Sequence, residues 1–303
     1  MLLVWQAQAE AKLLDAHPEL LRIEREFPLD ALISIFDTVD PFLGYGYVPG
    51  KVFEIALRIR KQSSEKTLSA YLNLLVLKLI ENFDPRFEIS GLSALFRPEF
   101  EKNLRRIMSS IGDEETRTRA SLDNDIFMKD LGIARQVLIP CASHLVYRHS
   151  GIPRRVLIAQ KGMRGRCQLL KTLFFDTRAF RPYLENHVHL PMLDEFNAEG
   201  RERCFRLVAE LLYCWPDSNG LIGTSWYYDP AVGAISPRLA YLHDVPAAGG
   251  ACFLDMGESE DARLGALERS STRRRFAESG AYVPKNFMMV WSRRRVLEHY
   301  GAM

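Results

Sequence analysis

The sequence predicts an α+β protein in which a helical domain, residues 1–135, is followed by a mixed α/β domain, residues 136–303. Two observations carry this prediction. Apolar residues recur at helical spacing through the first part, whereas short apolar runs of strand length alternate with helical segments through the second. The chain has 303 residues, 47% of them hydrophobic, which is enough for one large domain or two ordinary ones.

The segment 65–82 is the predicted centre of the helical domain. Its apolar residues cover most of the circumference of a helix, so the helix is expected to be buried on nearly all sides. Ser63 and Ser64 offer an N-cap, and Asp84-Pro85 is expected to end the helix. The other helices of this domain are expected over 6–25 with a break near Pro18, 29–39, 52–60, 98–111 and 123–135.

Short strands and helices alternate in the second domain. Strands are expected over 137–140, 156–160, 169–175, 187–190, 252–254 and 286–291. A helix is expected after Asn197, which is a suitable N-cap, with Phe205, Val208, Ala209 and Leu212 on one stripe. Further helices are predicted over 261–279, ended by Gly280, and over 293–300.

An aromatic stretch, Leu221–His243, is expected to form two strands joined by a turn at Asp229-Pro230. It carries Trp226, Tyr227 and Tyr228 on the first strand and Arg238 on the second. Small residues on the same faces leave room for a ligand. Two interpretations stay open, a ligand-binding surface and a packed aromatic hairpin.

Charge and composition exclude several broad classes of protein. The 40 basic and 38 acidic residues leave a net charge of +2, which argues against a general binder of nucleic acid or of membrane surfaces. Five cysteines, an odd number without C-x-x-C spacing, predict reduced thiols in a cytoplasmic protein. The amino terminus does not have the pattern of a signal peptide, and the strongest apolar run, 68–80, is too short to span a bilayer.

His187 and His189 form an H-x-H pair. On a strand the two imidazoles would point to the same side, as two metal ligands or an acid/base pair require. The alternative is a pair of polar residues hydrogen-bonded at a strand end. No third ligand follows at a diagnostic spacing, so no metal is favoured. The chain also has no P-loop, no G-x-G-x-x-G fingerprint and no G-x-S-x-G elbow.

The segment Ala266–Trp291, ALERSSTRRRFAESGAYVPKNFMMVW, resembles the helix, glycine and final strand that close a GNAT-type acyltransferase domain. Phe276, Gly280 and Tyr282 stand where that family has an aromatic residue, a glycine and a second aromatic residue. The resemblance covers this segment alone and departs from the family twice. The family usually has a tyrosine at the position of Phe276, whose phenol protonates the leaving thiolate, and its pantetheine-pyrophosphate loop, Q/R-x-x-G-x-G/A, is not evident here.

The resemblance implies an enzyme that moves an acyl group from a thioester donor, acyl-CoA or an acyl carrier protein, to a small amine or hydroxyl acceptor. His187 or His189 would act as the base, and Tyr227 is a further catalytic candidate. The acceptor groove would be lined by the aromatic residues, and three arginines would hold phosphate or carboxylate. The binding residues are then Trp226, Tyr228, Arg238, Arg273 and Arg274.

Two further hypotheses come from other classes of protein. The first is a metal enzyme of the iron oxygenase type that uses His187 and His189 as ligands. The second is a non-catalytic binding or assembly protein in which the aromatic stretch is an interface. Nucleic-acid partners and a membrane span are not expected under any of the three.

Overall fold

The structure is a computed structural model that describes residues 2–113, 119–154, 156, 170–171 and 180–301. The strands predicted over 156–160 and 169–175 lie almost entirely outside the described residues. Within the described residues, no helix combines the length and the apolar character that crossing a membrane requires. Cys141, Cys204, Cys214 and Cys252 carry thiols and form no disulfide.

The chain divides into two compact units. Unit 1 consists of Met1–Pro140 together with His189–Pro191, and unit 2 consists of Cys141–Val188 together with Met192–Met303. The sequence predicted a domain boundary between residues 135 and 136. Unit 1 is helical except for residues 138–140, which begin the first strand of a six-stranded sheet, and the other strands follow with further helices. The predicted α+β class is therefore confirmed.

Unit 1 contains eight described α-helices. They are α1 (Leu2–Ala16), α2 (Leu20–Glu26), α3 (Leu29–Asp37), α4 (Gly50–Gln62), α5 (Glu65–Glu81), α6 (Phe83–Ile89), α7 (Arg97–Gly112) and α8 (Asp125–Ala134). The break between α1 and α2 falls beside Pro18, as predicted.

Helix α5 is the centre of unit 1. Each of the other seven described helices contacts α5. Nearly all residues of α5 are buried, as the apolar residues around its circumference predicted. Ser64 caps its amino terminus, because the Ser64 hydroxyl accepts from the Thr67 N–H at 3.1 Å. Each fully buried leucine contributes roughly 1.5–3 kcal/mol relative to an exposed one. The leucines of α5 therefore supply much of the stability of this unit.

The prediction that Asp84-Pro85 ends the central helix is wrong. The helix already ends at Glu81, and Asp84 and Pro85 lie in the first turn of α6. Proline is tolerated there because the first N–H groups of a helix have no intrahelical partner.

The sheet contains the strands β1 (Leu138–Cys141), β2 (His144–Ser150), β3 (Tyr183–His187), β4 (Gly220–Ser225), β5 (Cys252–Gly257) and β6 (Asn286–Ser292). Their order across the sheet is β1-β2-β3-β4-β6-β5. β3 and β4 are parallel, whereas β2/β3, β4/β6 and β5/β6 are antiparallel. The strand expected over 187–190 lies earlier in the chain, because β3 already ends at His187.

Six helices of the described residues accompany the sheet in unit 2. They are α9 (Ala198–Cys214), α10 (Pro230–Ile235), α11 (Tyr241–Ala248), α12 (Glu260–Leu267), α13 (Ser271–Glu278) and α14 (Arg293–Tyr300). α9 connects the two parallel strands, so β3, α9 and β4 form a βαβ unit. Asn197 caps α9, as predicted, by accepting from the Gly200 N–H at 2.9 Å.

The predicted aromatic hairpin is wrong. β4 ends at Ser225, and Trp226–Tyr228 form a single 3-10 turn that leads into α10 and α11. Asp229 and Pro230, which favoured a turn, instead start α10. The Asp229 side chain accepts from the Ala231 N–H at 2.9 Å, and proline suits the first helical position.

The helix predicted over 261–279 is two helices, α12 and α13. Ser270 separates them, because its hydroxyl accepts from the Arg273 N–H at 3.2 Å and so caps a new helix. The predicted final strand over 286–291 is confirmed as β6.

Candidate functional site

The parallel strands β3 and β4 separate at their carboxyl ends. Their pairing is limited to Leu184 with Leu221 and Glu185 with Ile222, although β3 continues to His187 and β4 to Ser225. No described residue of β3 pairs with Gly223–Ser225. The crevice at the carboxyl ends of parallel strands is where ligands bind in open α/β sheets. This end of the sheet is therefore the candidate site.

The side chain of Asn186 lies between the separating strands. With its amide oxygen toward the donors, its Nδ2 donates to the Ile222 carbonyl at 3.0 Å and its Oδ1 accepts from Tyr228 and Arg201. The opposite orientation would direct amide N–H groups at a guanidinium, which has no acceptor. The Asn186 side chain thus donates to the Ile222 carbonyl of β4, which would otherwise accept a hydrogen bond from the backbone of a neighbouring strand. Gly223 is required opposite, since a β-carbon there would collide with this amide.

Arg201 reaches this point from the first turn of α9. Its side chain is only 1% exposed. Its Nη1 and Nη2 lie 2.9 and 3.1 Å from the Asn186 oxygen, and Nη2 also donates to the Tyr228 hydroxyl. One helical turn onward, the ring of Phe205 lies 4.5 Å from the centre of the guanidinium. The cation is therefore held by neutral groups and aromatic rings.

No carboxylate pairs with Arg201 in the part of the chain that the structure describes, and its buried Nε has no hydrogen-bond partner there. Burial lowers the pKa of Arg201, but Tyr228 and Tyr227 raise it by more, so the pKa is raised and the guanidinium stays charged. A buried charge without a counter-ion costs several kcal/mol. The residues around Arg201 thus enclose a buried positive charge, and the Nε–H group of Arg201 donates no hydrogen bond to a described residue.

His144, the first residue of β2, completes the surroundings of the guanidinium. Its ring nitrogens Nε2 and Nδ1 lie 2.6 and 2.9 Å from Arg201 Nη1, and the Ser143 hydroxyl lies 2.8 Å from Nδ1. Burial, followed by the charges of Arg201 and His187, holds the pKa of His144 well below its usual value. The imidazole is therefore neutral and able to accept a hydrogen bond from the guanidinium.

The 3-10 turn after β4 places three aromatic rings beside this cluster. The Tyr227 ring lies 4.7 Å from that of Tyr228, 5.7 Å from that of Trp226 and 5.6 Å from that of Phe196, centroid to centroid. Burial and the neighbouring Tyr228 raise the pKa of Tyr227 well above its usual value. Tyr227 is consequently a neutral phenol across the physiological range.

Arg273 lies on the other side of Trp226. Its guanidinium stacks on the indole at 4.6 Å, and it donates to the Ala266 carbonyl at 2.5 Å and to the Ser236 hydroxyl at 3.1 Å. Gly265 makes this packing possible, since a β-carbon there would lie 2.7 Å from the indole nitrogen. Burial lowers the pKa of Arg273, which is 4% exposed. The guanidinium of Arg273 therefore donates its hydrogen bonds to buried groups of the protein itself.

An open depression of about 810 Å³ lies at the same end of the sheet. Its walls include Glu258, which directly follows β5, and Pro284, which lies two residues before β6. Ser225 at the end of β4 pairs with Phe287 at the start of β6. Four glutamates and two arginines line it. These are Glu258, Glu260, Glu268, Glu278, Arg263 and Arg274.

Tyr282 also lines this depression and is 4% exposed. Its hydroxyl has no hydrogen-bond partner among the described residues. Burial, with a smaller contribution from Asp229, raises the pKa of Tyr282 to about 12. A buried hydroxyl without a hydrogen-bond partner lowers the stability of a protein by about 1–3 kcal/mol. The Tyr282 hydroxyl therefore needs an explanation, and a functional role is one.

The predicted site residues divide among several places. His187 ends β3, half-buried, with its Nε2 3.6 Å from a Glu185 carboxylate oxygen, and it acts electrostatically on His144. Tyr227 and Tyr228 belong to the Arg201 cluster, and Trp226 joins that cluster to Arg273. The remaining three lie apart from it: Arg238 is exposed, Arg274 lines the depression, and His189 belongs to unit 1. The expectation that His187 and His189 share one strand is wrong, because β3 ends between them.

Sequence reasoning missed Arg201, His144 and Asn186. Arg201 had a readable signal, because it precedes Phe205 by one helical turn and thus lies on the apolar stripe of α9. A charged residue on an apolar face is the informative exception to the rule that charges are exposed. His144 and Asn186 carry no comparable pattern, since their position depends on the register of β2 and β3.

Within the described residues, no group of three or more histidines, cysteines, aspartates or glutamates is arranged to hold a metal ion. Comparison with protein-family models, with curated proteins and with solved structures found no match to this chain. The function of this chain is therefore inferred from the geometry of the site itself.

Proposed function

We propose that unit 2 transfers an acyl group from a thioester donor to a small amine or hydroxyl acceptor at the carboxyl ends of β3 and β4. The observation that carries the proposal is the separation of these strands directly beside the buried Arg201 cluster. The likeness of Ala266–Trp291 to the end of a GNAT-type acyltransferase domain points to the same chemistry.

The open side of β4 suits the arm of a thioester donor. Gly223–Ser225 have no partner in β3. Gly223 is buried beneath the Asn186 amide, whereas Thr224 is exposed and Ser225 is half-buried, so the last two residues of β4 are the ones a ligand would approach. An extended ligand that carries amides can pair with such an edge as an added strand does. The pantetheine arm shared by coenzyme A and acyl carrier proteins is a ligand of this kind.

The Arg201 cluster supplies the electrostatic part of the reaction. Attack on a thioester carbonyl gives a tetrahedral intermediate whose oxygen is negative. A fixed positive potential in a dry, low-dielectric site stabilises that charge without reorganisation. Arg201 provides this potential, and Tyr228, Asn186 and His144 hold the guanidinium in place.

His187 is the base of the proposal. It ends β3 beside the separating strands, and a neutral imidazole near pH 7 can take the proton of an attacking amine or hydroxyl. The acceptor atom bonds to the carbonyl carbon, the carbon–sulfur bond breaks, and the sulfur leaves as a thiolate. Glu185, 3.6 Å from His187, favours the protonated ring that results.

Tyr282 is the candidate donor of a proton to that thiolate. Phe276, which stands where the family usually has a phenol, cannot donate one. Tyr282 follows six residues later, its backbone N–H bonds the Phe276 carbonyl at 3.1 Å, and its hydroxyl has no partner in the described structure. The excess of glutamates around the same depression favours a cationic amine over an anionic acceptor.

The start of α9 gives little support to a bound pyrophosphate. The Asn197 side chain already takes the Gly200 N–H, and Glu199 places a negative charge in the first turn. Arg274, which was expected to hold a phosphate, lines the depression together with four glutamates, whose negative charges disfavour a phosphate there. The donor is therefore proposed to be held through its arm, which acyl-CoA and an acyl carrier protein have in common.

The test is release of free thiol from acyl-CoA and from acyl carrier protein thioesters, with a panel of amines and alcohols as acceptors. Arg201→Met and Tyr282→Phe are each expected to lower turnover at least a hundredfold. Arg203→Met is the matched control, since Arg203 lies on the same helix but is half-exposed and pairs with Glu195. The proposal is overturned if no thioester releases thiol or raises the melting temperature, or if the control loses as much activity as Arg201→Met.

A further inference from the structure

We infer that unit 1 binds a small amphiphile whose neutral head group both donates and accepts hydrogen bonds, such as a medium-chain amide or alcohol. The site is a cavity of about 320 Å³ between α5, α7 and α8. Cavities of this size and above are typical of small-molecule sites. This inference does not depend on the proposed acyl transfer, because it uses different residues in the other unit.

The wall of the cavity is mostly apolar. Val76 comes from α5, Ile107 and Ile111 from α7, and Ile126 and Phe127 from α8. These side chains offer an alkyl chain a surface that excludes water, at about 0.8 kcal/mol for each methylene buried. One water molecule, or one non-hydrogen atom of similar size, occupies roughly 30 Å³, so the cavity of about 320 Å³ holds about ten non-hydrogen atoms.

Arg106 and Asp130 form a charged pair in the wall of this cavity. Arg106 donates to Asp130 through Nη1 at 3.2 Å and through Nη2, and Asp130 is 8% exposed. His189, which is 1% exposed, holds the same carboxylate with its Nε2 2.9 Å from Oδ1. Burial raises the pKa of Asp130, but the hydrogen bond from His189 and the charge of Arg106 lower it by more. The carboxylate is therefore ionised.

The pair determines the chemistry of the head group. Arg119, which is exposed, also lines the cavity. At the buried pair itself, a carboxylate head would be repelled by Asp130 and an ammonium head by Arg106, so neither gains from reaching it. A neutral amide or hydroxyl can donate to the carboxylate and accept from the guanidinium at once. The guanidinium can be reached by such a head group, because Arg106 lines the cavity and 26% of its side-chain surface is exposed.

The experiment is calorimetric titration of the full chain with octanamide, octanoate and octylamine, which share an alkyl chain and differ in head group. Octanamide is expected to bind at least tenfold more tightly than the other two. Asp130→Asn removes the negative charge and leaves Arg106, so it is expected to reverse the preference toward octanoate. A merely structural role of the pair would not produce that reversal.

A second arm of the experiment fills the cavity with a larger side chain and measures the loss of octanamide binding. Ile126→Trp, at a half-buried position in the wall, is expected to weaken octanamide binding at least tenfold. Ile89→Trp, at a position 86% exposed and outside the cavity, is expected to leave binding unchanged. Should Ile126→Trp fail to melt cooperatively, Ala120→Leu fills the same wall. The inference is overturned if no ligand binds, if all three bind equally, or if the filling variant binds as the control does.

Discussion

The side-chain amide of Asn186 lies across Gly223 and occupies the space that a β-carbon on Gly223 would need. This relationship sets the point at which two parallel strands stop pairing. The amide takes the Ile222 carbonyl and turns its oxygen toward Arg201, so the opening of the sheet and the buried cation depend on the same side chain.

Gly223→Ala is therefore expected to destabilise the protein by about 1–3 kcal/mol, the usual cost of inserting a methyl group into a filled space. Adding Asn186→Ala should recover part of this loss, with a coupling free energy of about 0.5–3 kcal/mol for residues in contact. Chemical denaturation of the two single variants and the double variant measures both. Gly233→Ala, whose new carbon would lie 3.4 Å from Ala240, should be neutral or stabilising. Strict additivity of the two changes would contradict the described contact.

Arg201→Met should cost less than about 2 kcal/mol in the free energy of unfolding and should stabilise the protein if its neighbours re-pair. The reason is that methionine removes a buried charge that has no carboxylate partner in the described chain, whereas Tyr228 can still bond Asn186. Breaking a buried ion pair, by contrast, usually costs about 3–5 kcal/mol. A loss of that size on urea denaturation would mean that an acidic partner compensates Arg201 in the folded protein.

The stability of the protein is expected to fall as the pH drops below about 6.5, through His144. Because the pKa of His144 is lowered on folding, the unfolded chain binds a proton that the folded chain does not, and stability rises with pH up to the unfolded value of 6.5. The slope is at most about 1.4 kcal/mol per pH unit for one group. Urea denaturation between pH 5 and 8 should show this slope in the natural chain and a shallower one in His144→Gln.

Tyr282→Phe should leave the protein as stable as before, or more so, because the hydroxyl it removes is buried without a partner in the described structure. Above pH 10 the difference should grow. The raised pKa keeps the folded phenol protonated while the unfolded phenol ionises, so stability of the natural chain falls from pH 10 toward 12. Thermal melting of the two chains at pH 8 and pH 11 measures both effects. A marked loss of stability at pH 8 would show that the hydroxyl does have a partner.

The local rules of sequence predicted what depends on neighbours in the chain. The buried helix α5, its Ser64 cap and the Asn197 cap follow from spacing and from side chains that bond the adjacent backbone. Asp229-Pro230 shows the limit of such rules, since an Asp-Pro pair can begin a tight turn or a helix. Only the packing of Trp226–Tyr228 against the rest of unit 2 decides between the two.

The candidate site was predictable only in part, because most of it comes from distant segments. Tyr227 and Tyr228 stood out as an aromatic run, and His187 as one of a histidine pair. Nothing in the sequence indicated that Asn186 would face Gly223, because that pairing requires β3 and β4 to be neighbours in the sheet. The place of Arg201 on the apolar stripe of α9 could have indicated its burial, but only the fold shows that no acidic residue of the described chain pairs with it.

The packing of Trp226 over Gly265 also limits how this chain can diverge. A side chain at residue 265 cannot be accommodated while an indole fills the space above it, so a lineage that acquires one must first replace Trp226 with a smaller residue. Relatives are thus expected to keep both residues or to have lost both, and an alignment in which residue 265 varies freely beside an unchanged tryptophan would be inconsistent with this arrangement.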